Sequence, residues 1–179
     1  AYLVNAGGKR LRPIILLLAA RLGGDRSGRP IPLAAVVEFI HTATLLHDDV
    51  VDGSELRRSN ATANQIWGNA AAILVGDFLY ARSFEMMVKD GDMRIMATMA
   101  EATSVISQGE VAQLENANDA DLDPESYYAV IAAKTAKLFE AAARLAAIVN
   151  RVSVEQENAL AEYGRLLGTA FQLMDDALD

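Results

Sequence analysis

The chain has 179 residues, 52% of them hydrophobic, a formal net charge of −8 and no cysteine. That length suits one domain with a sizeable core. The acidic balance argues against a general nucleic-acid surface, and the absence of thiols excludes a disulfide framework and a thiolate zinc site.

With only 4 prolines and frequent alanine and leucine, the composition favours helices. The stretch GGKRLRP at 7–13 leads into a first helix over 13–22, which Gly23 and Gly24 end. GGDRSGRP reads as a loop. From Pro30 to about Asp52, Ala35, Val36, Phe39, Ile40, Ala43, Leu46 and Val50 recur at helical spacing. GSELRRSNAT is a polar connection, and 63–88 is a long helix rich in small residues. KDGD turns the chain into a helix over 93–116, with a kink expected at Gly109. NDADLD is a loop, and Pro124 opens a helix to about Val149. Ser153 and Gln156 have the spacing of a capping box for a last helix that runs to the end. No strand pattern and no repeat of fixed period emerges. Long helices that are apolar over much of their circumference predict an all-α bundle with enclosed central helices. The longest strongly apolar run, PIILLLAA, is too short to span a bilayer, and no signal-peptide pattern is seen. The chain starts without methionine and stops in MDDALD, so both ends look cut.

The chemistry concentrates in two D-D-x-x-D motifs. Asp48, Asp49 and Asp52 end the second helix, and Asp175, Asp176 and Asp179 end the last. With 13 aspartates in the chain, one such motif is expected by chance well under once, and two are far rarer. Asp48 and Asp52 share a helical face, with Asp49 rotated about 100° away. Carboxylates crowded on one turn repel one another, so a cation should sit among them. Oxygen-only donors suit a hard ion such as Mg²⁺, with Mn²⁺ as the alternative, shared between carboxylates and substrate phosphates. A diphosphate is the ligand this implies.

Basic residues form a second anion site. Lys9, Arg10 and Arg12 follow two glycines, and Arg57 and Arg58 follow the first acidic motif. Arginine suits bidentate phosphate binding. GGKRLRP is not a nucleotide P-loop, because the glycine spacing differs and no Ser or Thr follows Lys9. Glu38 and His41 form an E-x-x-H pair, but a di-iron bundle needs a second copy, and His47 has Thr44 three residues before it. His41 lies on the Asp48 face, where it can line a pocket as a donor or pack as a core histidine.

GGKRLRP, LLHDDVVD with RR four residues on, GDFLYARSF, AAKTAKLFEAA and GTAFQLMDDALD, in that order, resemble the trans-polyprenyl diphosphate synthases, and most closely their long-chain branch. The resemblance spans essentially the whole chain. It implies an all-α bundle around a deep central cavity, usually a homodimer. It also implies a single isoprenoid synthase domain over 1–179 that lacks the family's N-terminal and C-terminal helices. By the same resemblance, Asp48, Asp49, Asp52, Asp175, Asp176 and Asp179 are the catalytic aspartates, with Asp48, Asp52, Asp175 and Asp179 as metal ligands. Lys9, Arg12, His41 and Arg58 match residues that bind isopentenyl diphosphate. Arg57, Lys134, Thr135 and Gln172 match contacts to the allylic diphosphate. Ser59 departs from the glycine common after the two arginines, which alters the loop. Family chains also continue well past the second motif, with basic residues near the mouth of the active site.

The activity implied is ionisation of an allylic prenyl diphosphate, condensation with isopentenyl diphosphate and loss of a proton to the released diphosphate. Ala43 and Thr44, five and four residues before Asp48, are small where bulky aromatics would block a tunnel. They imply a long trans-polyprenyl product of the quinone side-chain type. A cytoplasmic enzyme follows, with transient membrane association through its lipid product. The alternatives are a short-chain geranylgeranyl or farnesyl diphosphate synthase, a non-catalytic subunit of a heteromeric synthase, and a cyclising terpene synthase. Both acidic motifs argue against the subunit, and GGKRLRP argues against the cyclase.

Overall fold

A computed structural model describes residues 8–57, 60–116 and 123–178. It is built almost wholly of helices: α1 Leu11–Leu22, α2 Pro30–Val51, α3 Ala63–Trp67, α4 Asn69–Asp90, α5 Met93–Asn116, α6 Pro124–Ile131, α7 Lys137–Asn150 and α8 Val154–Leu178. The expected boundaries hold to within a few residues at most ends, and the capping box expected at Ser153 and Gln156 is present. Asp123 accepts from Ser126 N at 3.0 Å, and Ser153 and Gln156 exchange bonds of 3.2 and 3.3 Å.

Four expectations are corrected. The polar connection after α2 contains a two-residue antiparallel ladder, β1 Leu56–Arg57 with β2 Asn60–Ala61, in the register Leu56 to Ala61 and Arg57 to Asn60. It is too short to show an alternating pattern. The helix expected over 63–88 breaks at Gly68, whose φ of 84° lies outside the range of other residues. α5 runs unbroken through Gly109. The helix expected from Pro124 to Val149 is interrupted by a π-helical turn at Ala132–Ala136. Such single turns concentrate at functional sites.

α7 is the centre of the bundle. It packs on α8, α1, α5 and α2, and Ala141, Ala142, Ala143, Ala146 and Ala147 along it are fully buried. Leu145 and Ile148 join Leu16, Val37, Ile40, Ile95 and Met99 in the main core. Each large side chain buried there contributes roughly 1.5–3 kcal/mol. Small residues bring helix axes close. A Cβ on Gly164 would lie 2.6 Å from Phe139 O, and one on Gly168 would lie 2.7 Å from Ala136 Cα. α8 therefore rides directly on the π turn and the start of α7. One turn beyond Gly168 the helix delivers Gln172, and the next turn delivers Asp175 and Asp176.

Measured as a whole helix, α2 is long and apolar enough to cross a membrane, which PIILLLAA alone is not. Its apolarity has a local reason: Leu33, Val36, Val37, Ile40 and Leu46 are buried in the core, and its last turn carries the first acidic motif.

Candidate active site

The C-terminal ends of α2 and α8, the start of α1 and the π turn meet around a cavity of about 840 Å³. Asp48, Asp49 and Asp52 line it from α2, and Asp175 from α8. Lys9, Arg12, His41, Arg57, Lys134, Thr135 and Gln172 line the same cavity. The two acidic rims thus face one space, and residues far apart in sequence converge on it. Arg58 and Asp179 lie outside the described residues.

Within the first motif the three carboxylates are treated differently. Asp49 is buried and held by Arg57, whose Nε and Nη2 donate to Oδ1 at 3.0 and 2.7 Å. The β1–β2 ladder carries Arg57 back to this position. Asn64 Nδ2 also donates to the Asp49 carbonyl at 3.1 Å, which ties α3 to the rim. Asp48 is buried without such a clamp. Burial pushes its pKa up to about 6; Lys134, 3.5 Å away, opposes this, and the charges of Glu110 and Asp52 add to it. Asp52 is exposed at the mouth.

The second motif is reached from α8. Gln172 accepts from Thr135 Oγ1 at 2.9 Å and donates to Asp176 Oδ1 at 2.7 Å. Tyr127 donates to Asp176 Oδ2 at 2.5 Å. Asp176 is thereby turned to α6, and it is Asp175 that faces the cavity. The π turn carries Lys134 and Thr135, and both line the cavity. The sequence does not signal this turn.

The basic anchor sits across the cavity. Arg10, the residue before α1, is left-handed with φ 50°, a conformation uncommon for non-glycine residues. It pairs with Glu38. Lys9 Nζ lies 5.1 Å over the Phe171 ring and 3.8 Å from Asp175. The Arg12 guanidinium lies 4.4 Å over the Phe139 ring and donates to His41 Nε2 at 3.2 Å. His41 is therefore a cavity residue whose Nε2 accepts. Phe139 and Phe171, 5.7 Å apart, form an apolar floor beneath these cations. Neither they nor Glu110 were singled out from sequence; their partners lie too far along the chain.

The chain-length pair separates. Thr44 lines the cavity, but Ala43 is completely buried and is not among the lining residues.

Among the described residues no group of three or more carboxylate or imidazole side chains converges tightly enough to hold a metal ion unaided. Yet the donor set fits a hard dication. Asp48, Asp52 and Asp175 offer oxygen alone around one cavity, and the charge on Asp48 is incompletely balanced. Mg²⁺ characteristically keeps waters and substrate phosphate oxygens in its shell, so a few carboxylates suffice.

Paired acidic rims facing a basic anchor, inside a helical bundle with an apolar floor, define a helical synthase of the kind that handles diphosphates. The chain belongs to the polyprenyl synthetase family, whose pattern it matches over residues 1–179. It is 55% identical to octaprenyl diphosphate synthase of Escherichia coli (strain K12) over 178 residues, which cover 99% of this chain and 55% of that protein. It is 44% identical to an all-trans-nonaprenyl-diphosphate synthase of Rhodobacter capsulatus, with 99% and 55% covered. The crystal structure of a decaprenyl diphosphate synthase from Rhodobacter capsulatus superposes with a TM-score of 0.97 at 51% identity, over 99% of this chain and 55% of that one. A polyprenyl synthase from Caulobacter crescentus, crystallised with calcium and isoprenyl diphosphate, superposes with a TM-score of 0.94 at 54% identity, over 97% and 53%. These similarities lie with the long-chain branch of the trans-polyprenyl diphosphate synthases. The chain spans about 55% of the length of these curated relatives.

Proposed function

We propose that the protein carrying this chain is a prenyltransferase. It condenses isopentenyl diphosphate with an allylic prenyl diphosphate and repeats the step to make a long trans-polyprenyl diphosphate. The observation that carries this reading is the convergence of both acidic rims and the basic anchor on one cavity. The names of the relatives support the long product.

Asp48, Asp52, Asp175 and Asp179 would hold Mg²⁺, or Mn²⁺ in its place, which would supply Lewis acidity toward the departing diphosphate. Lys134, Thr135 and Gln172 contact that diphosphate from the π turn and α8, and Arg57 does so from β1. Lys9, Arg12, His41 and Arg58 bind isopentenyl diphosphate. The allylic C–O bond breaks and its electron pair leaves with the diphosphate. The isopentenyl double bond then forms the new C–C bond, and a proton is lost to the released diphosphate. Phe139 and Phe171 keep water from the cation, which water would otherwise capture. Thr44 borders the space for the growing chain.

The working protein is a homodimer in this reading. Leu74, Phe78 and Val88 on α4, with Val111 and Leu114 on α5, are exposed, which supports an apolar face for a second copy. Residues 1–179 form one isoprenoid synthase domain, the protein is cytoplasmic, and its lipid product draws it transiently to membranes.

The test is incubation of the whole protein with Mg²⁺, farnesyl diphosphate and labelled isopentenyl diphosphate, with products sized by chromatography. Long labelled polyprenyl products support the proposal. A cyclic hydrocarbon without label, or no product at all, overturns it.

A further inference from the structure

Lys134 reaches the cavity wall on a flexible four-carbon stem, yet three groups hold its ammonium. Glu110 Oε2 accepts from it at 2.8 Å and Gln113 Oε1 at 3.0 Å, both from α5. Asp48 Oδ2 lies 3.5 Å away across the rim. Glu110 and Gln113 stand three residues apart, hence on one face of α5. Gly109, just before them, lets that face close on the π turn: a Cβ there would lie 2.8 Å from Ala133 Cβ and 3.2 Å from Lys134 N. An ammonium has three N–H donors. Two are taken by α5, which leaves the third directed to the rim where Asp48 stands. Glu110 also lines the cavity, and its Oε1 is buried with no hydrogen-bond partner among the described residues.

The geometry points to Glu110, with Gln113, as the positioning residue that presents Lys134 to the allylic diphosphate. This rests on the reading of Lys134 as a diphosphate contact. When the rim is occupied and Asp48 is engaged elsewhere, Glu110 and Gln113 still hold the ammonium in place. Burial lowers the proton affinity of Lys134; the Glu110 hydrogen bond and the charges of Asp48, Glu110 and Asp52 outweigh it, so the group stays protonated. Lysine alone carries a point charge with a large rotamer freedom, so its placement depends on such partners.

The test is steady-state kinetics of the whole protein, with each substrate varied in turn, for Glu110→Ala, Glu110→Gln, Lys134→Ala and the double variant Glu110→Ala/Lys134→Ala. Misplacement of a positioned group costs about 10²-fold, so Glu110→Ala is expected to lower kcat/KM for the allylic diphosphate by roughly that factor. KM for isopentenyl diphosphate should stay within about twofold, since that anchor is elsewhere. Glu110→Gln keeps an acceptor of the same shape and should recover about tenfold of the loss; it carries the test if the alanine variant does not fold. The double variant should be no worse than Lys134→Ala to within about twofold, because a residue acting through Lys134 has nothing left to position. Multiplying losses, or equal losses on both substrates, would show a merely structural tie and overturn the inference. Normal kinetics in both Glu110 variants beside a crippled Lys134→Ala overturns this inference alone. Normal kinetics in Lys134→Ala removes the reading of Lys134 as a contact, and the inference with it.

Discussion

Among the places that combine one cation with two carboxylates, two behave in opposite ways. Where α2 starts and α4 ends, Arg29 donates two bonds of 2.6 Å to Asp90 and a third, of 3.2 Å, to Asp92. The Arg29 bonds hold Asp90 below the ordinary carboxylate range. At the cavity, Lys134 serves Glu110 at 2.8 Å and Asp48 at 3.5 Å, and Asp48 is pushed up to about 6. The two cations are equally exposed, at 27% and 26%, so burial of the cation does not explain the contrast. Desolvation of the Asp48 carboxylate comes first, and geometry and company add to it. A planar guanidinium satisfies a carboxylate bidentately. A single ammonium cannot satisfy two carboxylates that also feel Asp52. The first set is complete and holds the fold together. The second leaves Asp48 short of positive charge, at the place proposed for a dication.

Neutralising the two sites should therefore separate stability from activity. Asp48→Asn is expected to cost roughly 10³-fold in turnover, as loss of a group that stabilises leaving charge does. Metal-free, the same variant should be more stable than wild type at pH 7, by roughly 1–3 kcal/mol in chelator-treated thermal melts. The sign follows from the raised pKa. Between its ordinary value of 3.8 and about 6, folded Asp48 keeps a proton that the unfolded chain has released. Its contribution to stability thus falls as pH rises through that window and is fully unfavourable above it. A melting series from pH 4 to 7 that shows no difference between wild type and Asp48→Asn would remove the contrast. Asp90 has the opposite sign. Its depressed pKa stabilises the fold above the ordinary carboxylate range, and that contribution is lost on acidification.

Asp90→Asn is expected to destabilise the protein by about 3 kcal/mol, because it removes the bidentate carboxylate and leaves Arg29 only its longer bond to Asp92. Turnover per folded molecule should be unchanged, so melts and active-site titration together check it. A smaller effect is expected for Tyr127→Phe. It removes the bond that turns Asp176 to α6, and about tenfold weaker Mg²⁺ activation is expected with little change in melting temperature. The smallest effect on rate is expected at Thr44→Phe, which should shorten the product while turnover stays near normal. Ala43→Phe should instead destabilise by about 1–3 kcal/mol through overpacking, since Ala43 has no exposed surface. Product chromatography beside a thermal melt distinguishes the two.

The first of these comparisons was half visible in the sequence. The spacing of Asp48 and Asp52 places them on one helical face, so their mutual repulsion and need for a cation can be read without coordinates. Helix extents and the Ser153 cap are equally local. The Arg29 clamp was not visible, because Asp90 lies 61 residues away. Glu110 was invisible for the same reason. The π turn was missed because AAKTA reads as ordinary helix; Gly109 and Gly168, from distant parts of the chain, seat closely against it.

Local periodicity and capping determined that this chain forms long helices ending in acidic motifs, since each such feature depends on residues within about one turn of one another. Which carboxylates face the cavity, which are already clamped by arginine or tyrosine, and which residues hold Lys134 were decided only in the tertiary structure. Those outcomes depend on how closely helices distant in sequence can pack, and on which charges burial leaves without a full set of partners.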